Sequence, residues 1–173
     1  MNGGCLPAVV KRSEGIEEKA QGGMDAVADY GITAKEVLVG IAACGTTPYV
    51  HGALAAARSL GAVTIFMACV PKDQVTIAVD VDIRLPVGPE ILAGSTRLKS
   101  GTVTKMALNI LSTGTMVRLG KVYGNRMIDV AVTNIKLHDR ALRILCDLTG
   151  IDRPAADQLL TQSGQSVKLA LAM

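Results

Sequence analysis

Residues 36–70 read EVLVGIAACGTTPYVHGALAAARSLGAVTIFMACV, and this stretch decides the fold. Two apolar, β-branched runs, Glu36 to Ala43 and Ala62 to Val70, are short, continuous and bounded by turn residues, the pattern of strands buried on both faces. Between them the spacing predicts a helix: Thr47 as cap, Pro48 in the first turn, an Ala-rich body to Leu60 and Gly61 as the stop. A strand-helix-strand unit of this kind forms a right-handed crossover between parallel strands, so the expected architecture is a layered α/β domain. A third strand is expected at Val81 to Leu85.

Moving outward, apolar or small residues at Met106, Ala107, Ile110, Leu111, Gly114 and Val117 recur in steps of three and four and predict a packed helix. A further helix is expected over Lys136 to Thr149, stopped by Gly150. Asp152 then caps a short helix begun around Pro154, and Gly164 separates it from a last one carrying Val167, Leu169 and Leu171. The domain division expected is 1–149 for the α/β part and 150–173 for a small helical appendage. The first 35 residues read as a loop followed by an acidic-to-basic helix from Glu14 to Asp29, interrupted by Gly22 and Gly23.

Composition narrows the function. The chain has 173 residues and a net charge of +3, from 18 basic and 15 acidic side chains that are interspersed rather than blocked. Three Tyr, one Phe and no Trp leave little for stacking bases, so nucleic acid is not an expected partner. The longest apolar run, Ala62 to Val70, is far short of the ~20 residues a bilayer-spanning helix needs. The opening MNGGCLPAVVKR lacks the layout of a signal peptide, and Cys5, Cys44, Cys69 and Cys146 form no C-x-x-C pair. Reduced thiols and a cytoplasmic location are the expectation.

Chemistry concentrates in the turn Ala42-Ala43-Cys44-Gly45-Thr46-Thr47-Pro48. Ligands of open α/β sheets sit at the carboxyl ends of strands, where free backbone N–H groups and the helix dipole favour an anion such as phosphate. Simple capping of the helix fits the same residues. The spacing Gly40-x4-Gly45 echoes a nucleotide P-loop, but the lysine that loop requires is absent, which disfavours ATP. Ser95, Thr96, Arg97 and Lys99 precede the long helix and suit either a polyanionic or sugar ligand or a capped, solvated helix start. Glu14, Glu17 and Glu18 place carboxylates on one helical face, which serve acid-base chemistry when desolvated and are otherwise solvated. His51 and His138 are isolated, and surface or core roles outweigh metal binding or general-base catalysis. Cys44 reads as a small filler or as a thiol activated by the helix N-terminus.

The strings VGIAACGTTPYVHGALAAARSLGAVTI (39–65), VGPEILAGSTRLKSGT (87–102), KVYGN (121–125) and KLHDRALRI (136–144), with SEGIEE (13–18) ahead of them, closely resemble N-acetylmuramic acid 6-phosphate etherases of the sugar isomerase (SIS) superfamily. The resemblance runs from about Ser13 to the C-terminus, and the tail looks like the ubiquitin-associated-like bundle that ends these enzymes. It implies a three-layer α/β/α SIS fold with a parallel sheet, binding a phosphosugar at the strand ends. The implied reaction is cleavage of the D-lactyl ether of N-acetylmuramic acid 6-phosphate to N-acetylglucosamine 6-phosphate and D-lactate, in cell-wall recycling. No metal or organic cofactor is implied.

By position, Glu17 matches the second of the family's two catalytic glutamates. Cys44, Gly45, Thr46 and Thr47 match its second sugar-phosphate loop, usually A-S-G-x-T-P, with Cys44 in place of a serine hydroxyl. Ser95, Thr96, Arg97 and Lys99 fall in the GSTRLK signature, where ligand or dimer contacts are implied. The family's G-x-G-T-S-G-R loop and its A-S-E-C-P-P segment, with the first glutamate, do not occur in this chain. The sheet is therefore expected to be incomplete on its N-terminal side, with association as a homodimer or with a chain carrying the missing half. The rival expectation is a non-catalytic phosphosugar-binding module, similar to the regulators of glucokinase.

Overall fold

The computed structural model describes residues 14–173, in two compact units that divide between Ala107 and Leu108. Cys5 and the leading loop lie outside the described residues, as does the side chain of Glu14. In the first unit, α1 (Glu14–Glu17) and α2 (Ala20–Asp29) precede β1 (Val37–Ile41), α3 (Pro48–Ser59), β2 (Val63–Ala68) and β3 (Val81–Arg84). The helix α4 (Lys99–Arg118) starts in this unit and continues into the second. There follow β4 (Val122–Tyr123), β5 (Arg126–Met127), α5 (Ile135–Thr149), α6 (Arg153–Gln162) and α7 (Val167–Ala170).

The α/β expectation holds. The strands form a parallel sheet in the order β1-β2-β3, with Val37 beside Val63 and Ile65 beside Val81. Helix α3 crosses from β1 to β2, and Gly61, at φ 81°, closes it as its position predicted. One face of the sheet is covered: Leu54 and Val50 of α3 lie over Gly40 and Phe66, and Phe66 is fully buried. Gly40 makes this possible, because a Cβ there would sit 2.5 Å from Leu54 Cδ1. Its place is therefore mid-strand beneath a helix, not in a phosphate loop.

Gly22 and Gly23 do not interrupt a helix. The break falls at Glu18 and Lys19, and α2 runs straight through both glycines. Their reason is tertiary: a Cβ on Gly23 would lie 2.0 Å from Tyr49 O, and one on Gly52 would lie 2.1 Å from Ala20 O. The two helices cross at backbone contact, and Val27, Ala53, Ala57 and Ala62 close the core around the crossing.

The apolar stripe of α4 exists but is not packed. Met106, Ile110 and Val117 are at least half exposed, and Ser100 is the buried residue of the helix. In the second unit the core joins Ile128 to α5, α6 and α7 through Ala141, Leu145, Ala156, Leu160 and Val167. Asn134 caps α5 and Asp152 caps α6, each accepting from the backbone N–H three residues on, at 2.9 Å. The hairpin β4-β5 has no counterpart in the sequence reading; its two-residue turn begins with Gly124 at φ 56°.

Candidate functional site

At the carboxyl end of β1 the chain turns through Ala42-Cys44-Gly45 into α3. Gly45 is buried at φ 83°, and a side chain there would press on Val75 and Val70. The carbonyl of Gly45 accepts a 2.6 Å hydrogen bond from His51 Nε2, which fixes the tautomer with the proton on that nitrogen. The imidazole also stands edge-on to Phe66, with ring centres 5.8 Å apart. His51 thus ties the turn to the core.

Thr47 is the N-cap of α3 by backbone geometry, yet its hydroxyl makes no capping bond. Among the described residues, the backbone N–H groups of Thr46, Thr47 and Tyr49 have no acceptor. Pro48 at the first helical position contributes no donor. Unused donors at the positive end of a 12-residue helix are what an anion requires.

Beside this turn opens a cavity of about 600 Å³. Its walls are Glu17 from α1, Leu38 to Cys44 from β1 and the turn, Thr47, Tyr49, Val50 and Ala53 from α3, and Gly94 and Thr96 from the loop before α4. The lining is mostly small and apolar, with the Glu17 carboxylate as its one acid and the Thr47, Thr96 and Tyr49 hydroxyls as further polar groups. Among the described residues no three His, Cys, Asp or Glu side chains come together as a metal site.

The second polar cluster is differently arranged. The carboxylate of Glu90 accepts from the backbone N–H groups of Lys99, at 3.0 Å, and Ser100, at 2.9 Å, and so occupies the N-terminus of α4. The Ser100 hydrogen bond is the main reason its carboxyl is held below the usual carboxylate range. Lys99 Nζ donates to Pro89 O at 2.7 Å. A capped helix start is therefore what this segment has.

Comparison with known proteins places this geometry in context. The chain is 66% identical to the N-acetylmuramic acid 6-phosphate etherase of Crocosphaera subtropica over 170 residues, 98% of this chain and 56% of that protein. It is 68% identical to the Synechococcus elongatus enzyme of the same name over 168 residues, 97% of this chain and 55% of that protein. Over nearly its whole length the chain is thus similar to N-acetylmuramic acid 6-phosphate etherases. It spans little more than half the length of the relatives it matches. Residues 124–170 also match the model of the C-terminal lid domain of glucokinase regulatory protein, a segment that contains most of the α5–α7 core.

Of the site residues that the resemblance implies, Glu17, Cys44, Thr47 and Thr96 line one cavity, and Gly45 is buried in the turn between Cys44 and Thr47. Thr46 is exposed next to it, while Ser95, Arg97 and Lys99 are not among the lining residues. Cys44 is exposed and Cys69 is buried beside Ser100 and Thr104. Sequence reasoning missed Tyr49 and Glu90, and for His51 it gave the surface or core role that the structure shows but not the partner in the turn. The signal for His51 was present: a side chain one turn inside a helix tilts back toward the N-terminus and reaches the loop before it. Glu90 carried no such signal, since its partners lie nine and ten positions further along the chain. His138, isolated in sequence, sits 3.0 Å from Asp157 and joins α5 to α6 at the surface.

Proposed function

We propose that this chain carries part of the machinery for cleaving the D-lactyl ether of N-acetylmuramic acid 6-phosphate, giving N-acetylglucosamine 6-phosphate and D-lactate. The observation that carries the reading is one cavity with an acid-base group, Glu17, on one wall and the unsatisfied N-terminus of α3 on another. The phosphate belongs at the Thr46, Thr47 and Tyr49 N–H groups, with the Thr47 hydroxyl added.

In the open-chain sugar, the aldehyde at C1 acidifies the C2 proton. Its removal allows the C3–O bond to break, lactate leaves with a proton, and water then adds across the resulting double bond. Ether plus water thus becomes alcohol plus lactate, with no net redox change. Glu17, exposed at the cavity wall, is the proton carrier of this chain.

The test is D-lactate release from N-acetylmuramic acid 6-phosphate. Glu17→Gln is expected to abolish release while N-acetylglucosamine 6-phosphate still binds; turnover surviving in that variant would remove Glu17 from the mechanism. A second reading, a phosphosugar-binding module without turnover, is favoured by the single acid in the cavity and by the match to a regulatory protein's lid domain. Phosphosugar binding with no lactate release, by the unmodified chain alone and again after mixing with the segment of the Crocosphaera subtropica enzyme outside the matched region, would decide for it.

A further inference from the structure

Arg84, the last residue of β3, is a charged side chain laid against the core, with only 11% of it exposed. Its Nε and Nη2 donate to the Asp82 carboxylate at 2.6 and 3.2 Å. Nη2 also donates to Val75 O at 2.7 Å, and Nη1 donates more loosely to Pro71 O at 3.5 Å. The guanidinium carbon stands 5.0 Å from the centre of the fully buried Phe66 ring. A lysine would serve the ion pair with Asp82 as well. Separate acceptors in different directions and a ring face call for the planar, five-donor fork of arginine.

Two routes lead from this side chain to one residue of the candidate site, Gly45. In the loop after β2, Val70 and Ile77 pack on the core, and of the residues between them Val75 alone is not exposed. Arg84 therefore holds the stretch from Pro71 to Val75 by its backbone carbonyls. Val75 in turn lies against Gly45, where a Cβ would meet Val75 Cγ2 at 3.1 Å. On the other route, the Phe66 ring beside the guanidinium is the ring that His51 meets edge-on, and His51 donates to Gly45 O. Directly after Gly45 come the residues whose N–H groups have no acceptor among the described residues.

We propose that Arg84 is a positioning residue for the turn after β1. Through Val75, and through Phe66 and His51, it fixes Gly45 and with it the direction of the Thr46, Thr47 and Tyr49 N–H groups. The proposal rests on the reading of that turn as the phosphate site. Arg84 is absent from the cavity lining, so it acts on a sugar phosphate only through the turn.

Two single variants and their combination test this. Arg84→Lys keeps a cation for Asp82 and loses the fork, whereas Val75→Ala keeps the fork and removes the side chain against Gly45. Urea unfolding fixes the conditions in which each variant is folded. In both, hydrogen exchange at the Gly45 amide, which is bonded to Ala42 O, should speed up about tenfold relative to the Gly40 amide within β1. Affinity for N-acetylglucosamine 6-phosphate, by calorimetry, should fall about tenfold. The combined variant should lose little more than Arg84→Lys alone, because the two changes act on one line of contact. Should Arg84→Lys unfold, Arg84→Gln combined with Asp82→Asn, which buries no unpaired charge, replaces it. A purely structural arginine would lower the urea midpoint and leave Gly45 exchange and the affinity of folded variants unchanged. That result, or additive losses in the combined variant, would overturn the proposal. If the unmodified chain binds no N-acetylglucosamine 6-phosphate, the phosphate reading falls and Gly45 exchange alone decides the positioning: acceleration in the variants upholds it, unchanged exchange overturns it.

Discussion

Replacing either of two adjacent glycines by alanine should move stability in opposite directions. Gly22 and Gly23 both lie inside α2, so each substitution gains about 1 kcal/mol of helix propensity. At Gly22 the new methyl meets only the Tyr49 ring at 3.5 Å, an ordinary contact, and the gain is kept. At Gly23 it would sit 2.0 Å from Tyr49 O and 2.8 Å from Ala53 N. That is 1 Å inside the 3.0 Å limit real Cβ atoms respect, and both obstacles are backbone, which cannot rotate aside. The α2–α3 crossing must open, at an overpacking cost of about 3 kcal/mol, leaving a net loss of about 2 kcal/mol. For a chain of this size that is a fall in Tm of about 4–8 °C for Gly23→Ala, against a rise of about 2–4 °C for Gly22→Ala. Thermal and urea unfolding read both values. Equal stability of the two variants would refute the backbone-contact reading of the crossing.

Three further outcomes are expected. His51→Ala should weaken N-acetylglucosamine 6-phosphate binding about tenfold by calorimetry without lowering Tm in proportion, and His51→Gln, which can again donate to Gly45 O, should recover part of it. Asp80 accepts from the Thr64 hydroxyl and N–H, both at 2.7 Å, and these bonds hold its carboxyl below the ordinary value of 3.8. A depressed carboxylate stabilises the fold above its unfolded pKa and loses that contribution as the pH falls through the folded one. Asp80→Asn should therefore destabilise the chain at neutral pH, with the gap to the unmodified chain narrowing as the pH drops past 3.8, measured by urea midpoints. Asp152→Ala should cost about 1 kcal/mol by removing the cap on Ala155 N–H, read as a loss of amide protection across α6.

Much of this fold was legible in residues 36–70. The two apolar runs, Thr47-Pro48 and Gly61 marked β1, α3 and β2 to within two residues of their ends, because strand runs and helix stops are local signals. Gly150 and Asp152 did the same for α5 and α6. The site was legible in part: the turn after β1 was visible as small residues ahead of a helix, and Glu17 as one of three neighbouring carboxylates, set apart from Glu14 and Glu18 only through resemblance to a family. That Glu17, Thr47 and Thr96 line one cavity could not be read from their spacing, because they come from three separate elements.

The sequence by itself determined most strands and helices and the parallel sense of the main sheet, since these follow from short-range periodicity, caps and crossover handedness. Tertiary structure alone decided the rest. Gly22 and Gly23 look like helix breakers along the chain and are contact points in space, because only the approach of α3 shows what a Cβ would strike. The stripe on α4 looks like core and faces solvent, because periodicity marks an apolar face without supplying the partner that covers it. Glu90 caps a helix start that the sequence left open between a ligand site and a capped end, because its bonds to Lys99 and Ser100 depend on the path of the loop between them.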